Sequence, residues 1–315
     1  MNFGFWETLE RPIIALAPMA NVTDAAFRSI IAKYGKPDVM YTEFVSADGL
    51  VSSGRDALLL DLKFGESERP IVAQFFGATP DHFYQVALLA QELGFDGIDI
   101  NMGCPDRAVL KQGAGAALIE TPELALKIIS ETKRGAGPLP VSVKTRLGLK
   151  KKTFREWIPR LLEAEPAAIT IHGRTAKELS LVPADWEAIA EAAKIRDGYS
   201  KNVPILGNGD VKNLADAEEK AEKYGLDGIM VGRGIFGNPW FFTGHIPNTE
   251  EKLRVILEHT RLFEKMFSGR KNFDVMKKHY KAYVNGFDGA KELRTKLMAA
   301  KDADGVDLIL REFSV

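Results

Sequence analysis

The amino-acid sequence predicts a TIM (β/α)8 barrel followed by a small all-helical C-terminal domain. Three observations carry the prediction. Eight short apolar runs alternate with stretches of helical periodicity, each run ends on polar or small residues, and strand signals stop after Phe242. Apolar strands alternating with helices imply a parallel sheet covered on both faces. Eight such units in about 240 residues fit a barrel, whose chemistry gathers at the C-terminal ends of the strands. An open doubly wound sheet is the alternative. It requires a GxGxxG turn after an early strand, and the first run ends in APMANVTD instead.

The runs are IIALAPMA (13–20), VMYTEFV (39–45), IVAQFFG (71–77), GIDINMG (97–103), VSVKTRL (141–147), AITIHGR (168–174), VPILGNGD (203–210) and GIMVGRG (228–234). Between them, DHFYQVALLAQELG (81–94) places Phe83, Val86, Ala87 and Ala90 at helical spacing, and PELALKIISETKRG (122–135) reads likewise. Gly94 and Gly135 stand where these helices are expected to stop. Beyond the barrel, Leu253, Ile256, Leu257, Thr260 and Phe263 form a helical stripe. VMKKHYKAYVNG (275–286) and KELRTKLMAAKDA (291–303) predict two more helices, parted by Gly286 and Gly289. The expected division is residues 1–244 and 245–315, with HIPNTEE (245–251) as the junction.

The totals narrow the class. The chain has 315 residues, 45% hydrophobic and 27% charged, with net charge -1. That composition suits a soluble globular protein and excludes a uniformly basic nucleic-acid binder. A single cysteine excludes an intramolecular disulfide and any cysteine-cluster metal site, and no metal is expected. Met1 to Arg11 has neither the basic flank nor the apolar core of a signal peptide. No stretch approaches the ~20 apolar residues of a membrane span. A cytoplasmic monomer is the expectation.

The strand ends define the candidate site. Met19, Glu43, Gln74, Asn101 with Cys104, Lys144 with Arg146, His172 with Arg174, Asn208 with Asp210, and Gly232 with Arg233 should share one mouth. ILGNGDV (205–211) and MVGRGIFGNP (230–239) close the last two strands, where barrels often hold a phosphate on backbone N–H groups. Arg233 can pair with such a phosphate in a bidentate way. Gln74, Lys144 and His172 suit the edge of a planar heterocycle, with Lys144 offsetting negative charge on a reduced flavin. The bland alternative for Lys144 is an internal ion pair, for instance with Glu43. Cys104 lies in a Gly-Cys-Pro turn beyond its strand. An ordinary thiol, with a pKa of about 8.5, is protonated near neutrality and can act as a general acid. As a nucleophile it needs nearby positive charge, which Lys144 and Arg146 can supply. Residue chemistry leaves both roles open.

From Gly269 to Lys301 nine basic residues face three acids, a local charge of +6. Tyr280 and Tyr283 interleave with them. A basic helical face beside aromatics suits a nucleic-acid backbone, and an ordinary solvated surface is the alternative. Lys150, Lys151 and Lys152, past the fifth strand, extend the same track.

APMANVTDAAFR (17–28), DINMGCP (99–105), GAGAAL (113–118), VKTRLG (143–148), HGRT (172–175), NGD (208–210) and VGRGIFGNPWFF (231–242) resemble the tRNA-dihydrouridine synthases. The tail motif KKHYKAYVNGFDGAKELRTKL (277–297) resembles that family's C-terminal helical domain. The resemblance implies an oxidoreductase, a flavoprotein with tightly bound, non-covalent FMN that reduces the C5–C6 bond of a uracil in tRNA, with NADPH as reductant. Carried over by motif, Pro18, Met19, Ala20, Gln74, Lys144, His172, Asn208, Gly209, Asp210, Gly232 and Arg233 would bind FMN. Asn101, Arg146 and Arg174 would hold the target nucleotide, and Lys277, Lys278 and Arg294 the tRNA body. Cys104 would be the proton donor: hydride from flavin N5 would reach C6, and the thiol would protonate C5 from the opposite face. The base would have to leave its stack. One stretch departs from the family: after HGRT many members carry a further basic residue, and a tyrosine shortly before the Asp-Trp pair, where this sequence reads AKELSLVPADW (176–186). Two further readings remain in view. One is an FMN-dependent barrel acting on a free small molecule, like dihydroorotate dehydrogenases. The other is an RNA-binding barrel without chemistry, against which Cys104, Lys144 and His172 argue.

Overall fold

Every strand pairing in the sheet is parallel, and the sheet closes on itself. A computed structural model of the chain describes residues 2–199 and 203–313. Its strands are β1 (Ile13–Leu16), β2 (Met40–Tyr41), β3 (Val45–Ser46), β4 (Ile71–Phe76), β5 (Gly97–Met102), β6 (Val141–Gly148), β7 (Ile169–Thr175), β8 (Ile205–Asn208) and β9 (Gly228–Val231). They run in the order β1-β9-β8-β7-β6-β5-β4-β2. A bridge between Ala15 and Val39 joins the two ends. There Leu16 N–H donates to the Val39 carbonyl at 3.0 Å.

The second predicted run is split. β2 and β3 both pair with β4, before and after a break at residues 42–44. At the break the Thr42 hydroxyl accepts from Gln74 N–H at 3.1 Å and donates to its neighbour's carbonyl. A side chain replaces a ladder bond there, and Glu43 is released to face the loop after β1.

The helices of seven residues or more are α1 (Ala25–Tyr34), α2 (Pro80–Glu92), α3 (Pro122–Ala136), α4 (Phe154–Glu163), α5 (Trp186–Asp197), α6 (Leu214–Tyr224), α7 (Thr249–Phe267), α8 (Lys277–Tyr283), α9 (Ala290–Ala299) and α10 (Ala303–Phe313). α3 runs past Gly135 and ends at Gly137, whose φ is +55°. Gly135 instead lies where α3 meets α2, and a Cβ there would strike the Tyr84 carbonyl oxygen. α10 is absent from the sequence reading, although Val306 and Leu310, both buried, stand one helical turn apart.

Alternation along the strands sorts the side chains. Ile14, Leu16, Ala73, Phe75, Ile98 and Ile100 pack outward against the helices. Ile13, Ala15, Val39, Tyr41, Val72, Leu206 and Met230 fill the cylinder from below with Trp6, which is carried on a short N-terminal turn and is buried. Polar residues occupy the inner face above this plug.

The helices from Thr249 onward share a core with α1. Ala25, Ala26 and Ile30 of α1, together with Trp240, pack against Val255, Ile256, Phe263, Tyr280, Tyr283 and Leu293. The Phe27 ring stacks on His279 at 5.2 Å, and His279 meets His259 at 4.7 Å. Polar contacts fix the same junction. Lys271 Nζ reaches Glu43 at 2.9 Å and Asp61 at 2.8 Å, and Lys278 donates to the Asn21 carbonyl. Glu43 also accepts from Asn21 N–H. Burial pushes the Glu43 carboxyl up, while Lys271 draws it down.

Removing Lys271 would strand a buried carboxylate. Lys271→Met is expected to cost about 3 kcal/mol. Adding Glu43→Gln should recover part of that loss, as denaturant melts of the two single variants and the double variant would read.

Candidate active site

The inward positions of five neighbouring strands converge above the apolar plug. Register aligns Gln74 with Asp99, Asn101 with Lys144, Arg146 with His172, and His172 with Asn208. Above them opens a cavity of about 680 Å3, lined among others by Pro18, Met19, Phe44, Gln74, Asn101, Cys104, Lys144, Arg146, His172, Arg174, Leu179, Asn208, Gly209, Asp210, Gly232 and Arg233. Thus ten of the eleven residues expected to hold FMN border one space. The exception is Ala20, which is exposed and lies outside the lining.

Cys104 is only 8% exposed, yet it belongs to the cavity wall. Val109, Ala114 and Phe44 back it with apolar surface. Its turn is built by Asn101, whose Oδ1 accepts the N–H groups of Gly103 at 3.1 Å and Cys104 at 2.9 Å. Arg146 Nε donates to the Gly103 carbonyl at 2.7 Å. Burial pushes the Cys104 thiol up, and the charges of Arg146 and Lys144 only partly offset this. The thiol is therefore protonated at neutral pH, as an acid must be.

Lys144 donates to Asn208 Oδ1 at 3.2 Å. The ion pair with Glu43 weighed from the sequence does not form, because Glu43 is taken by Lys271 and Asn21. Burial and neighbouring Arg146 lower the Lys144 ammonium to about 8. Burial together with Arg146, Lys144, Arg174 and Arg233 drives His172 far below the usual imidazole range, so the ring stays neutral. Arg174 Nη1 lies 3.1 Å from His172 Nε2. A guanidinium has no lone pair to offer, so Nε2 accepts and Nδ1 carries the proton.

Arg174 is spent on the protein. It donates to the Val182 carbonyl at 2.6 Å, to His172 and to Asp210. Arg146 holds the carbonyls of Thr175 at 3.1 Å and Leu179 at 3.5 Å. The two arginines thus strap down the divergent 176–186 stretch. Its Leu179, Leu181 and Val182 are exposed, and Leu179 borders the cavity with a φ of +52°. The rim of the cavity is therefore apolar along the stretch that departs from the family pattern. Gly209, with φ at +130°, lies against this stretch, and a Cβ there would press on Ala184 at 2.7 Å.

The predicted tRNA contacts lie away from this cavity. Lys277 pairs with Asp274 at 2.6 Å, Lys278 caps the loop after β1, and Arg294 donates to the Val284 carbonyl at 2.7 Å. Tyr280 and Tyr283 do not interleave on a surface: both are buried, bonded to Thr260 and His259. Besides Lys278, the exposed cations of the tail are Arg270, Lys281, Lys291, Lys296 and Lys301. Lys150 and Lys151 are exposed, and Lys152 pairs with Asp185 at 2.5 Å. Sequence reasoning missed Asp99 and Ser142 beneath the cavity. The signal for Asp99 was available: it stands two residues before Asn101, on the same strand face.

Fold and site together define a parallel barrel with a cation-rich mouth and a thiol in its wall. The family profile for Dihydrouridine synthase (Dus) matches residues 15–313. The chain belongs to this family, whose members are FMN-dependent oxidoreductases. A Bacillus subtilis (strain 168) protein named "Probable tRNA-dihydrouridine synthase 2" is 40% identical, over 99% of this chain and 97% of its own length. A Staphylococcus epidermidis (strain ATCC 12228 / FDA PCI 1200) protein named "Probable tRNA-dihydrouridine synthase" is 41% identical over 95% and 92%. Among solved structures, histamine dehydrogenase from Rhizobium sp. 4-9 superposes with a TM-score of 0.53 at 13% identity, over 79% of this chain and 48% of that one. Morphinone reductase gives 0.51 at 13%, over 80% and 92%. Both share the barrel fold.

The raised thiol sets a pH profile. Alkylation needs the thiolate, so iodoacetamide should label Cys104 slowly at pH 7, with a midpoint above the ordinary value of about 8.5. Mass spectrometry of the intact protein across pH 6 to 11 reads this directly. A midpoint below 8 contradicts the acid role.

Proposed function

We propose that the protein reduces the C5–C6 bond of specific uridines in tRNA to give dihydrouridine, with FMN held non-covalently at the barrel mouth and NADPH as the source of reducing equivalents. The observation that carries the reading is the place of Cys104 in the wall of a cavity on which the strand ends converge.

The residues present fit FMN. Five cationic side chains (Lys144, Arg146, Arg174, Lys212 and Arg233) line the cavity against one carboxylate, Asp210, an imbalance suited to a phosphate and to a negatively charged ring. Lys144 is a depressed, desolvated ammonium that gains from an anionic neighbour. Arg233 is largely exposed, with only a 3.5 Å contact to Asp210, and is free to take a phosphate beside Gly209 and Gly232. Neutral His172 offers Nδ1–H as a donor. Pro18, Met19, Gln74 and Asn208 supply the remaining edges.

The chemistry a bound FMN supplies is hydride donation to C6 of the uracil. Cys104 gives its proton to C5, so that one hydrogen atom is added at each carbon and the thiol is left as thiolate, to be reprotonated from solvent. Arg146 Nη2, which makes no hydrogen bond to the protein among the described residues, would hold a base oxygen. Arg174 acts through His172 and the rim. The exposed tail residues Arg270, Lys281, Lys291 and Lys301 offer sequence-independent phosphate contacts, which position the tRNA without reading its bases.

The purified protein should be yellow. Arg233→Ala should weaken FMN binding by about 10- to 100-fold, the worth of charge-assisted hydrogen bonds. Cys104→Ala should keep the flavin band and lose roughly 10²- to 10⁴-fold in kcat, the usual share of a general acid. Full dihydrouridine formation by that variant, measured by nucleoside mass spectrometry, removes Cys104 from the mechanism. NADPH oxidation should depend on unmodified tRNA, and equal oxidation with a free pyrimidine would point to a small-molecule enzyme.

A further inference from the structure

We propose that Asp99 is a positioning residue for the Cys104 thiol, acting through a directed chain of hydrogen bonds across the inside of the barrel. The inference rests on the reading of Cys104 as proton donor. The chain runs from Asp99 Oδ2 to Gln74 Nε2 at 2.7 Å, from Gln74 Oε1 to Asn101 Nδ2 at 3.0 Å, and from Asn101 Oδ1 to the N–H groups of Gly103 and Cys104. Ser142 donates to the other Asp99 oxygen at 2.6 Å.

Both ends of the chain have fixed polarity. Backbone N–H groups only donate, so Asn101 must present its oxygen to the turn and its nitrogen to Gln74. Gln74 must then present its own nitrogen to residue 99, and an ionised carboxylate there only accepts. Each amide, taken alone, has two senses of nearly equal shape. The carboxylate and the turn together select one. With an apolar residue at 99, the Gln74 amide nitrogen is left buried without its acceptor, and only Asn101 still holds its sense. A flipped Gln74 turns N–H toward N–H, and a flipped Asn101 turns its amide nitrogen against two backbone donors. The error then reaches the turn that aims the thiol.

Burial argues that the carboxylate serves position and not stability. Gln74, Asp99, Ser142 and Asn101 are all buried. Burial raises the Asp99 carboxyl to about 6, against the hydrogen bonds from Ser142 and Gln74 and the charge of Lys144. A buried carboxylate is an expensive group to keep, and an apolar residue packs an interior strand at lower cost. Asp99, Asn101 and Cys104 also fall within one seven-residue stretch, DINMGCP. Strand alternation places the first two on the same inner face, and the turn brings the third over the cavity.

The single cysteine makes the test clean, because thiol labelling of the full-length, FMN-loaded protein reads Cys104 alone. Asp99→Leu keeps the branched shape at a larger volume and removes the acceptors. Asp99→Asn keeps an oxygen for Gln74 and turns its amide to the Ser142 hydroxyl, which can accept. At pH 8, Asp99→Leu is expected to raise the iodoacetamide labelling rate about fivefold or more as the turn loosens. Its kcat should fall roughly tenfold or more while KM stays within about twofold. Asp99→Asn should hold both quantities within about threefold of the parent. A merely structural role predicts that both variants track their Tm, with labelling unchanged well below it. Parent-like labelling and kcat in Asp99→Leu overturn the proposal, and so does Asp99→Asn as impaired as Asp99→Leu at the parent's Tm. If Asp99→Leu does not fold, a folded Asp99→Asn with kcat down tenfold overturns it, and one within threefold supports it. Failure of the parent to reduce tRNA would instead sink the proton-donor reading, while the labelling series still reports on the chain.

Discussion

Closing a parallel sheet forces every second side chain of its strands into one narrow cylinder that water does not fill. This constraint governs the rest of the molecule. Below, it is met by apolar volume: Trp6, Ile13, Tyr41, Val72, Leu206 and Met230 plug the cylinder. Above, polar groups replace apolar ones, and each must find a partner or carry the cost of being buried alone. Asp99, Gln74, Asn101, Lys144 and Asn208 meet that demand by bonding across strands, and His172 by bonding to Arg174 of its own strand.

Satisfaction of the polar layer leaves the site little freedom. The same bonds that neutralise buried groups also fix which atom of each faces the cavity. His172 keeps one tautomer because Arg174 allows only one. Arg146 ties the Gly103 carbonyl on one side to the 175–179 backbone on the other, so the thiol turn and the apolar rim share a single guanidinium. Excess positive charge and burial pull in opposite directions on the thiol, and burial wins.

The sequence made the barrel legible because its strands are apolar runs with polar ends, a pattern that survives without knowledge of the partner strand. The cavity lining followed from the same rule, since residues at strand ends share a mouth whatever their contacts. What stayed hidden depends on pairing. The break in the second run comes from a side-chain bond between Thr42 and Gln74, which no local pattern announces. Gly135 looked like a helix stop and is a contact between two helices. Lys277, Lys278 and Arg294 were read as tRNA contacts, and each also has a partner within the protein. Tyr280 and Tyr283 lay among lysines in sequence and lie in the core in space, because a helix carries neighbours in sequence to opposite sides. Charge and aromatic counts along a chain cannot separate these cases.

The junction of Glu43, Asp61 and Lys271, with Lys278 on the Asn21 carbonyl, bears on how such chains diversify. A tail transplanted from a relative by recombination would arrive without the acidic seat its lysines occupy. The heritable module is therefore discontinuous: the last helices together with the segments that follow β1, β2 and β3. Exchanges that respect only the linear boundary would leave two stranded carboxylates behind, so these distant stretches should drift in concert.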